Sequence, residues 1–390
     1  MTEHTNTPEL RFPEFKEEWE FQELGNLAQF SKGKLLSKKD LNISGIPCIL
    51  YGELYTRYGA ILNKVYSKTD SKKNSLVFSK KNQILIPSSG ETDIDIATAT
   101  AINTDLKIAI GGDLNIITPI NSDGRFISLY INGKGKHNLA KYAQGKSVVH
   151  LYNSDIKKLK FYLPSNNSEQ QKIGDFFSKL DRQIELEEEK LELLEQQKKG
   201  YMQKLFSQEL RFKDENGNEY PHWKETTIEN LTNYTSSKKS SNQYTESNNS
   251  EGYPVYDAIQ EIGKDLQYDM KDPYISILKD GAGVGRLNLR PGKSSIIGTM
   301  GYIQAKNVDI QFLYYRMKLL NFRKFIIGST IPHLYYKDYS KEKIQIPSSS
   351  DEQEKIGHFI LSIDKLIANK TLKLDYLKQR KQGLLQKMFV

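Results

Sequence analysis

A chain of 390 residues is long enough for two or three domains, which excludes a single small fold. Its 56 Lys and Arg against 48 Asp and Glu give a formal charge of +8, a balance that suits a polyanionic partner. The single cysteine, Cys48, excludes an internal disulfide and a thiolate metal cluster, and with no signal-like start and no run of about 20 apolar residues the expectation is a cytoplasmic protein that spans no membrane.

Residues 1–24 read as a short entry segment holding Leu10-Arg11-Phe12-Pro13 and Trp19. Residues 25–163 follow as a variable domain with more strand than helix: Pro47 to Tyr51, Gln83 to Pro87 and Leu114 to Thr118 are short apolar runs bounded by turn residues, and helical patterning appears near 126–144. This stretch carries 20 basic and 10 acidic side chains, so the positive surplus is concentrated here. Residues 164–206 read as a long helix. Pro164 ends the preceding strand, Ser168 with Gln171 sits where a capping box would start the helix, and Ile173, Phe177, Leu180, Ile184, Leu191, Leu194, Tyr201 and Leu205 recur at spacings of four and three.

A second entry segment, 207–227, leads to a second variable domain, 228–346, with strand-like runs at Tyr274 to Leu278 and Lys343 to Pro347, helical patterning near 309–327, and 16 basic against 12 acidic residues. Its Ser/Asn-rich stretch 235–250 reads as a mobile loop, either a DNA-contacting arm or a solvated insertion. Residues 347–390 form a second long helix, with Asp351 and Glu354 at the capping-box positions and Ile356, Ile360, Ile363, Ile367, Leu374, Leu377, Leu384 and Met388 as its seam. Both seams are interrupted at matching places, Glu187 and Lys198 in the first and Lys370 and Lys381 in the second. An antiparallel pairing would set Leu180 near Leu377, Leu194 near Ile363 and Glu187 against Lys370.

The two halves are copies of one plan. Residues 145–206 align without a gap on 328–389, and 26 of 62 positions are identical where chance gives about one in twenty. Arg11-Phe12 returns as Arg211-Phe212, Trp19 as Trp223, and Gly45-Ile46-Pro47 as Gly252-Tyr253-Pro254, while the rest of the variable domains has diverged.

Catalytic motifs are present only in outline. Asp280-Gly281-Ala282-Gly283-Val284-Gly285 resembles a cofactor loop, but the alternating Arg286-Leu287-Asn288-Leu289 that follows predicts a β-hairpin turn with no helix N-terminus to hold a phosphate. Gly145-Lys146-Ser147 lacks the first glycine of a P-loop, and no Pro-Pro pair exists for a base-flipping methyltransferase loop. Six histidines with one cysteine argue against a structural zinc site. His150 and His333 each stand in the pattern Gly-x-x-Val/Ile-x-His-Leu-Tyr-x-x-Asp. The motif reads as a structural latch where a domain joins its helix, or as a pair of donors, imidazole and phenol, to a phosphate.

Two divergent basic domains, each followed by a near-identical helix, resemble the specificity subunit of a type I restriction-modification system. The resemblance spans the chain and rests on Glu169-Gln170-Gln171-Lys172-Ile173-Gly174 with Glu352-Gln353-Glu354-Lys355-Ile356-Gly357, and on Gly200 to Phe206 with Gly383 to Phe389. It implies two pseudo-repeated mixed α/β (α+β) target recognition domains separated by an antiparallel two-helix coiled coil, each domain reading one half of a bipartite sequence in double-stranded DNA. It implies a chain that is not an enzyme and binds no cofactor. Two modification (methyltransferase) subunits and the restriction (motor-nuclease) subunits are the implied partners, with S-adenosylmethionine, ATP and Mg2+ bound there. Base-reading residues do not transfer with the resemblance. From chemistry, the candidates able to donate or accept at base edges are Lys32, Lys34, Tyr51, Ser88, Ser89 and Glu91 in the first domain and Lys238, Lys239, Asp280 and Arg286 in the second, with His150 and His333 beside them. The alternative reading is a coiled-coil scaffold carrying two protein-binding modules.

Overall fold

The computed structural model describes residues 6–34, 36–71, 76–245 and 251–390. It divides into two compact units, one made of residues 1–189 with 371–390 and the other of 190–370. Each takes one variable domain and one end of both long helices, because the helix seams are buried against the domain cores.

In the first unit, Trp19–Glu23 pairs antiparallel with Lys160–Pro164 and closes the domain at its base. Above it lies a five-stranded sheet in the order Ala28–Lys32, Leu114–Pro119, Ile84–Pro87, Thr100–Ile102, Ile61–Leu62, antiparallel except for its last, parallel pair. A smaller sheet sets Ile46–Ile49 between antiparallel Ser67–Thr69 and parallel Ala109–Ile110. The second unit repeats the scheme with almost no shared sequence. Lys224–Thr227 pairs with Lys343–Ile346, the main sheet runs Thr232–Ser236, Met300–Ala305, Tyr274–Leu278, Leu287–Arg290, and Tyr253–Tyr256 sits between antiparallel Glu261–Asp265 and parallel Ser295–Ile296. The repeated Gly-x-Pro marks the start of that small-sheet strand. Gly45 and Gly252 have φ of 117° and 113°, and a Cβ there would lie 2.2 Å from the Thr69 carbonyl and 2.4 Å from that of Asp265. Only glycine combines that backbone with that approach.

The terminal helices run Asn167–Phe206 and Ser350–Lys387. Within the first unit, Ile173, Phe177 and Leu180 share a buried core with Leu377, Leu385, Met388 and Phe389, and with Trp19 and Phe126 of the domain. Asp181 pairs with Lys381 and Glu187 with Lys373, so numbers rise on one helix as they fall on the other. Within the second unit Leu205 packs with Ile356 and Ile360, and Tyr201 meets Phe359 edge to face. Lys198 there pairs with Asp364. The helices are antiparallel in both units, as the resemblance implies. Glu187 is buried and holds Lys373 at 2.8 Å, one helical turn from Lys370. Ile363, Leu374 and Leu377 are buried, whereas Ile184, Leu191, Leu194 and Ile367 are half-buried.

The helix starts differ from the capping boxes expected. The first helix begins at Asn167, where the Asn166 side chain accepts from the Ser168 amide at 2.9 Å. The second begins at Ser350, and Asp351 is engaged by the Tyr220 hydroxyl and Lys355. The Glu-Gln motif serves tertiary contacts. Gln170 accepts from the Asp123 amide at 3.0 Å and donates to the Pro164 carbonyl at 2.9 Å, and Gln353 does the same with Asp309 and Pro347, both at 2.9 Å. Glu169 takes two hydrogen bonds from Arg11, and Glu352 two from Arg211. One repeated pair of side chains thus ties entry segment, strand end and domain helix to each terminal helix.

Three local expectations change. Tyr51 starts the helix Tyr51–Thr56 instead of ending a strand. The helical region near 126–144 is two pieces, Gly124–Asn132 and Lys136–Ala140, the first capped by Gly133, and that near 309–327 is Ile310–Lys318, capped by Leu319, followed by the short Phe322–Phe325 turn. Residues 235–245 of the Ser/Asn-rich stretch are ordered as a strand end and the helix Asn242–Thr245, pinned by Lys239 and Tyr244 to Asp265. Residues 246–250 lie outside the described residues.

Candidate nucleic-acid interface

In both units the loop after a central strand of the main sheet meets the repeated Gly-x-x-Val/Ile-x-His-Leu-Tyr motif. In the first unit the strand Ile84–Pro87 runs into Ser88 and Ser89-Gly90, and His150 pairs with Ser89 through the backbone while the Leu151 amide donates to the Ser88 carbonyl at 3.1 Å. In the second, Tyr274–Leu278 runs into Lys279-Asp280, Asp280 bridges to His333, and the Leu334 amide donates to the Lys279 carbonyl at 2.8 Å. The sequence motif and the candidate loops, about 60 residues apart, are thus neighbours in each unit.

Leu151 and Leu334 are buried, and they and the backbone pairing do the joining. The side chains either side of each leucine face outward. His150 stacks with Tyr152 at 6.0 Å and 18° between planes, and His333 with Tyr335 at 6.3 Å and 11°. His333 Nδ1 also lies 2.7 Å from Asp280 Oδ1. Burial alone would raise the Asp280 carboxyl, but hydrogen bonds from Lys279 and His333 outweigh it and hold the group below its ordinary value.

The glycine-rich stretch is the predicted hairpin turn. Leu287–Arg290 returns antiparallel to Tyr274–Leu278, Gly281, Gly283 and Gly285 have φ of 91°, 83° and 90°, and the Gly285 amide donates to the Leu278 carbonyl at 2.8 Å. Arg286 is exposed at the end of this turn.

The other candidates separate. Lys32 and Lys34 are exposed on and just past the edge strand, with Lys32 Nζ 5.7 Å from the centroid of the Tyr152 ring. Glu91 is exposed and Ser89 half-buried in the loop, whereas Ser88 is buried against the motif. Tyr51 is half-buried against a small apolar core. Lys238 is exposed. Lys239 is committed within the domain, paired with Asp265 and, at 3.7 Å, with Asp269. Residue-type reasoning passed over Lys337, whose ammonium sits 5.6 Å from the centroid of the Tyr335 ring, and Tyr234, stacked on Tyr336 at 4.5 Å. The adjacency of Tyr335, Tyr336 and Lys337 was the available signal.

Residues 16–196 and 220–379 match the family described as the type I restriction modification DNA specificity domain. A type I specificity subunit of Mycoplasma genitalium is 24% identical over 294 residues, 71% of this chain and 73% of that one. The specificity subunit of the type I restriction enzyme MjaVIII of Methanocaldococcus jannaschii is 31% identical over 120 residues, 30% of this chain and 28% of that one. The crystal structure of a type I restriction-modification S subunit from M. genitalium has the same fold, with a TM-score of 0.72 at 20% identity, covering 98% of this chain and 99% of that chain. Two family matches, one in each half of a chain that repeats its own plan, place the protein in the family of type I restriction-modification DNA specificity subunits.

Proposed function

We propose that the chain is the non-catalytic DNA-reading subunit of a type I restriction-modification complex and that each domain reads one half of a bipartite target. The observation that carries this is the repeat itself. Two domains share one plan of sheets, yet the loops that follow the central strand of the main sheet differ in length, composition and charge, with Ser89-Gly90-Glu91 in one and the Asp280 to Arg286 hairpin in the other. Similar supports with different loops suit two readings of one kind of ligand. Methylation and cleavage then fall to partner subunits that hold S-adenosylmethionine, ATP and Mg2+, and the terminal helices are the natural seat for two modification subunits.

Exchanging residues 25–163 for the matching domain of a relative, in the reconstituted methyltransferase, tests this. Mapping the methylated sites is expected to show one half of the recognised sequence changed and the other kept. A change in both halves, or none, refutes modular readout. A reconstituted complex that binds duplex DNA with no sequence preference favours the scaffold reading.

A further inference from the structure

The joint between the repeated motif and the loop after the central strand does not account for all of the motif. Its backbone pairing and its buried leucine do that work, but the motif also presents Val148 and Tyr152, 53% and 43% exposed, and Ile331 and Tyr335, 56% and 45% exposed. Neither the backbone pairing nor the burial of the leucine requires aliphatic and aromatic side chains at these open positions. The same histidine-tyrosine stack faces outward beside them in both units.

A lysine completes each cluster, and it comes from a different place in each. In the first unit Lys32 reaches the Tyr152 ring from the edge strand of the main sheet. In the second, Lys337 reaches the Tyr335 ring from two residues further along the motif, at the position that Ser154 occupies in the first copy. Two routes lead to one arrangement of imidazole, phenol and ammonium, although the neighbouring loops share nothing. A contact that discriminates bases should differ between two domains reading different half-sites. The chemistry that any two half-sites have in common is the sugar-phosphate backbone.

We propose that His150-Tyr152-Lys32 and His333-Tyr335-Lys337 are paired, sequence-independent clamps for a duplex DNA phosphate. The phenol hydroxyl donates to a non-bridging oxygen, the ammonium supplies the charge, and the imidazole backs the phenol ring; in the second unit Asp280 faces Nδ1 and leaves Nε2 outward. Each clamp fixes its domain on the duplex so that the adjacent, divergent loop meets the base edges in one register. This rests on the DNA-reading function proposed above and divides its interface into positioning and reading groups.

The test uses the full chain and two labelled duplexes, one of random sequence and one carrying the target that methylated sites define. Lys32→Gln combined with Lys337→Gln is expected to reduce the slope of log K against log salt by about 1.8, at about 0.9 per phosphate contact, on both duplexes alike. Tyr152→Phe with Tyr335→Phe is expected to weaken both duplexes by the same factor, about fivefold, with the slope unchanged. Losses confined to the target duplex would make these groups base readers, and unchanged slope and affinity would make them surface; either overturns the clamp. All four side chains lie at the surface, so melting is expected to match the parent, and a variant that unfolds early overturns the proposal by showing a structural role. A parent chain that binds neither duplex rejects the DNA-reading function itself, and the clamp with it.

Discussion

The carboxylate of Asp181 lies 2.5 Å from the ammonium of Lys381, both largely buried between the terminal helices of the first unit, and the second unit makes the same pair from the repeat-related residues in exchanged roles, Asp364 with Lys198. The interruptions at Lys198 and Lys381 are therefore the cationic halves of two equivalent pairs. Burial raises the Asp181 carboxyl and Lys381 pulls it back, so desolvation offsets part of the attraction. Asp181→Ala strands an ammonium in a mostly apolar seam and is expected to destabilise the first unit by about 2 kcal/mol, whereas Asp181→Leu with Lys381→Met should cost less than the single change. Urea unfolding of the two variants decides it; equal losses would show that the pair contributes nothing.

Arg11 and Glu169 should behave as a structural clasp. Glu169 is fully buried and accepts two hydrogen bonds from one guanidinium at 2.7 and 2.8 Å, and Arg211 repeats the geometry on Glu352. Removing either arginine leaves a buried carboxylate unpaired, at a cost of about 3 kcal/mol. Arg11→Ala should lower the melting transition of the first unit and Arg211→Ala that of the second, resolved by calorimetry as separate shifts.

Two pairs of repeated glycines should respond in opposite directions to alanine. A Cβ at Gly357 would lie 2.7 Å from Asp309 Oδ1 and 2.8 Å from the Phe312 amide nitrogen, and one at Gly174 would lie 2.9 Å from the Arg125 side chain. At Gly200 and Gly383 nothing comes within 4 Å. Gly357→Ala is expected to cost about 2 kcal/mol through overpacking, Gly174→Ala less because a flexible side chain can move, and Gly200→Ala or Gly383→Ala to add about 1 kcal/mol of helix stability each. Thermal melts of the four single variants test the ordering.

Acid should act on the two units with opposite signs at two aspartates. In the second unit hydrogen bonds, first that from Lys239, pull the Asp265 carboxyl down to about 2. Its folded pKa is below the unfolded value, so the stability it contributes is present above about pH 4 and is lost as the pH falls toward 2, at most about 1 kcal/mol after solvent screening. Asp181 is raised in the first unit, so its contribution is greatest below the unfolded value and falls as the pH rises through the folded one. Asp265→Asn should flatten the acid limb of the second unit, followed by hydrogen exchange of the Glu261–Asp265 strand; an unchanged limb rejects the assignment.

The features that local chemistry determines were legible in the chain. The repeat offset paired Gly145 with Gly328 and His150 with His333, the spacing of four and three picked out the seam from Ile173 to Met388, and alternation after Gly285 predicted the hairpin, since these patterns follow from the periods of helix and strand. What only the tertiary structure decided is how distant segments meet. Asp280 against His333, Lys32 over Tyr152 and Arg11 on Glu169 join residues 53, 120 and 158 positions apart, and no local period encodes such contacts. The same holds for Lys239, a candidate contact by residue type that folding commits to Asp265. A solvated lysine and a paired one look alike in sequence, because the difference lies in the carboxylate that the sheet brings beside it.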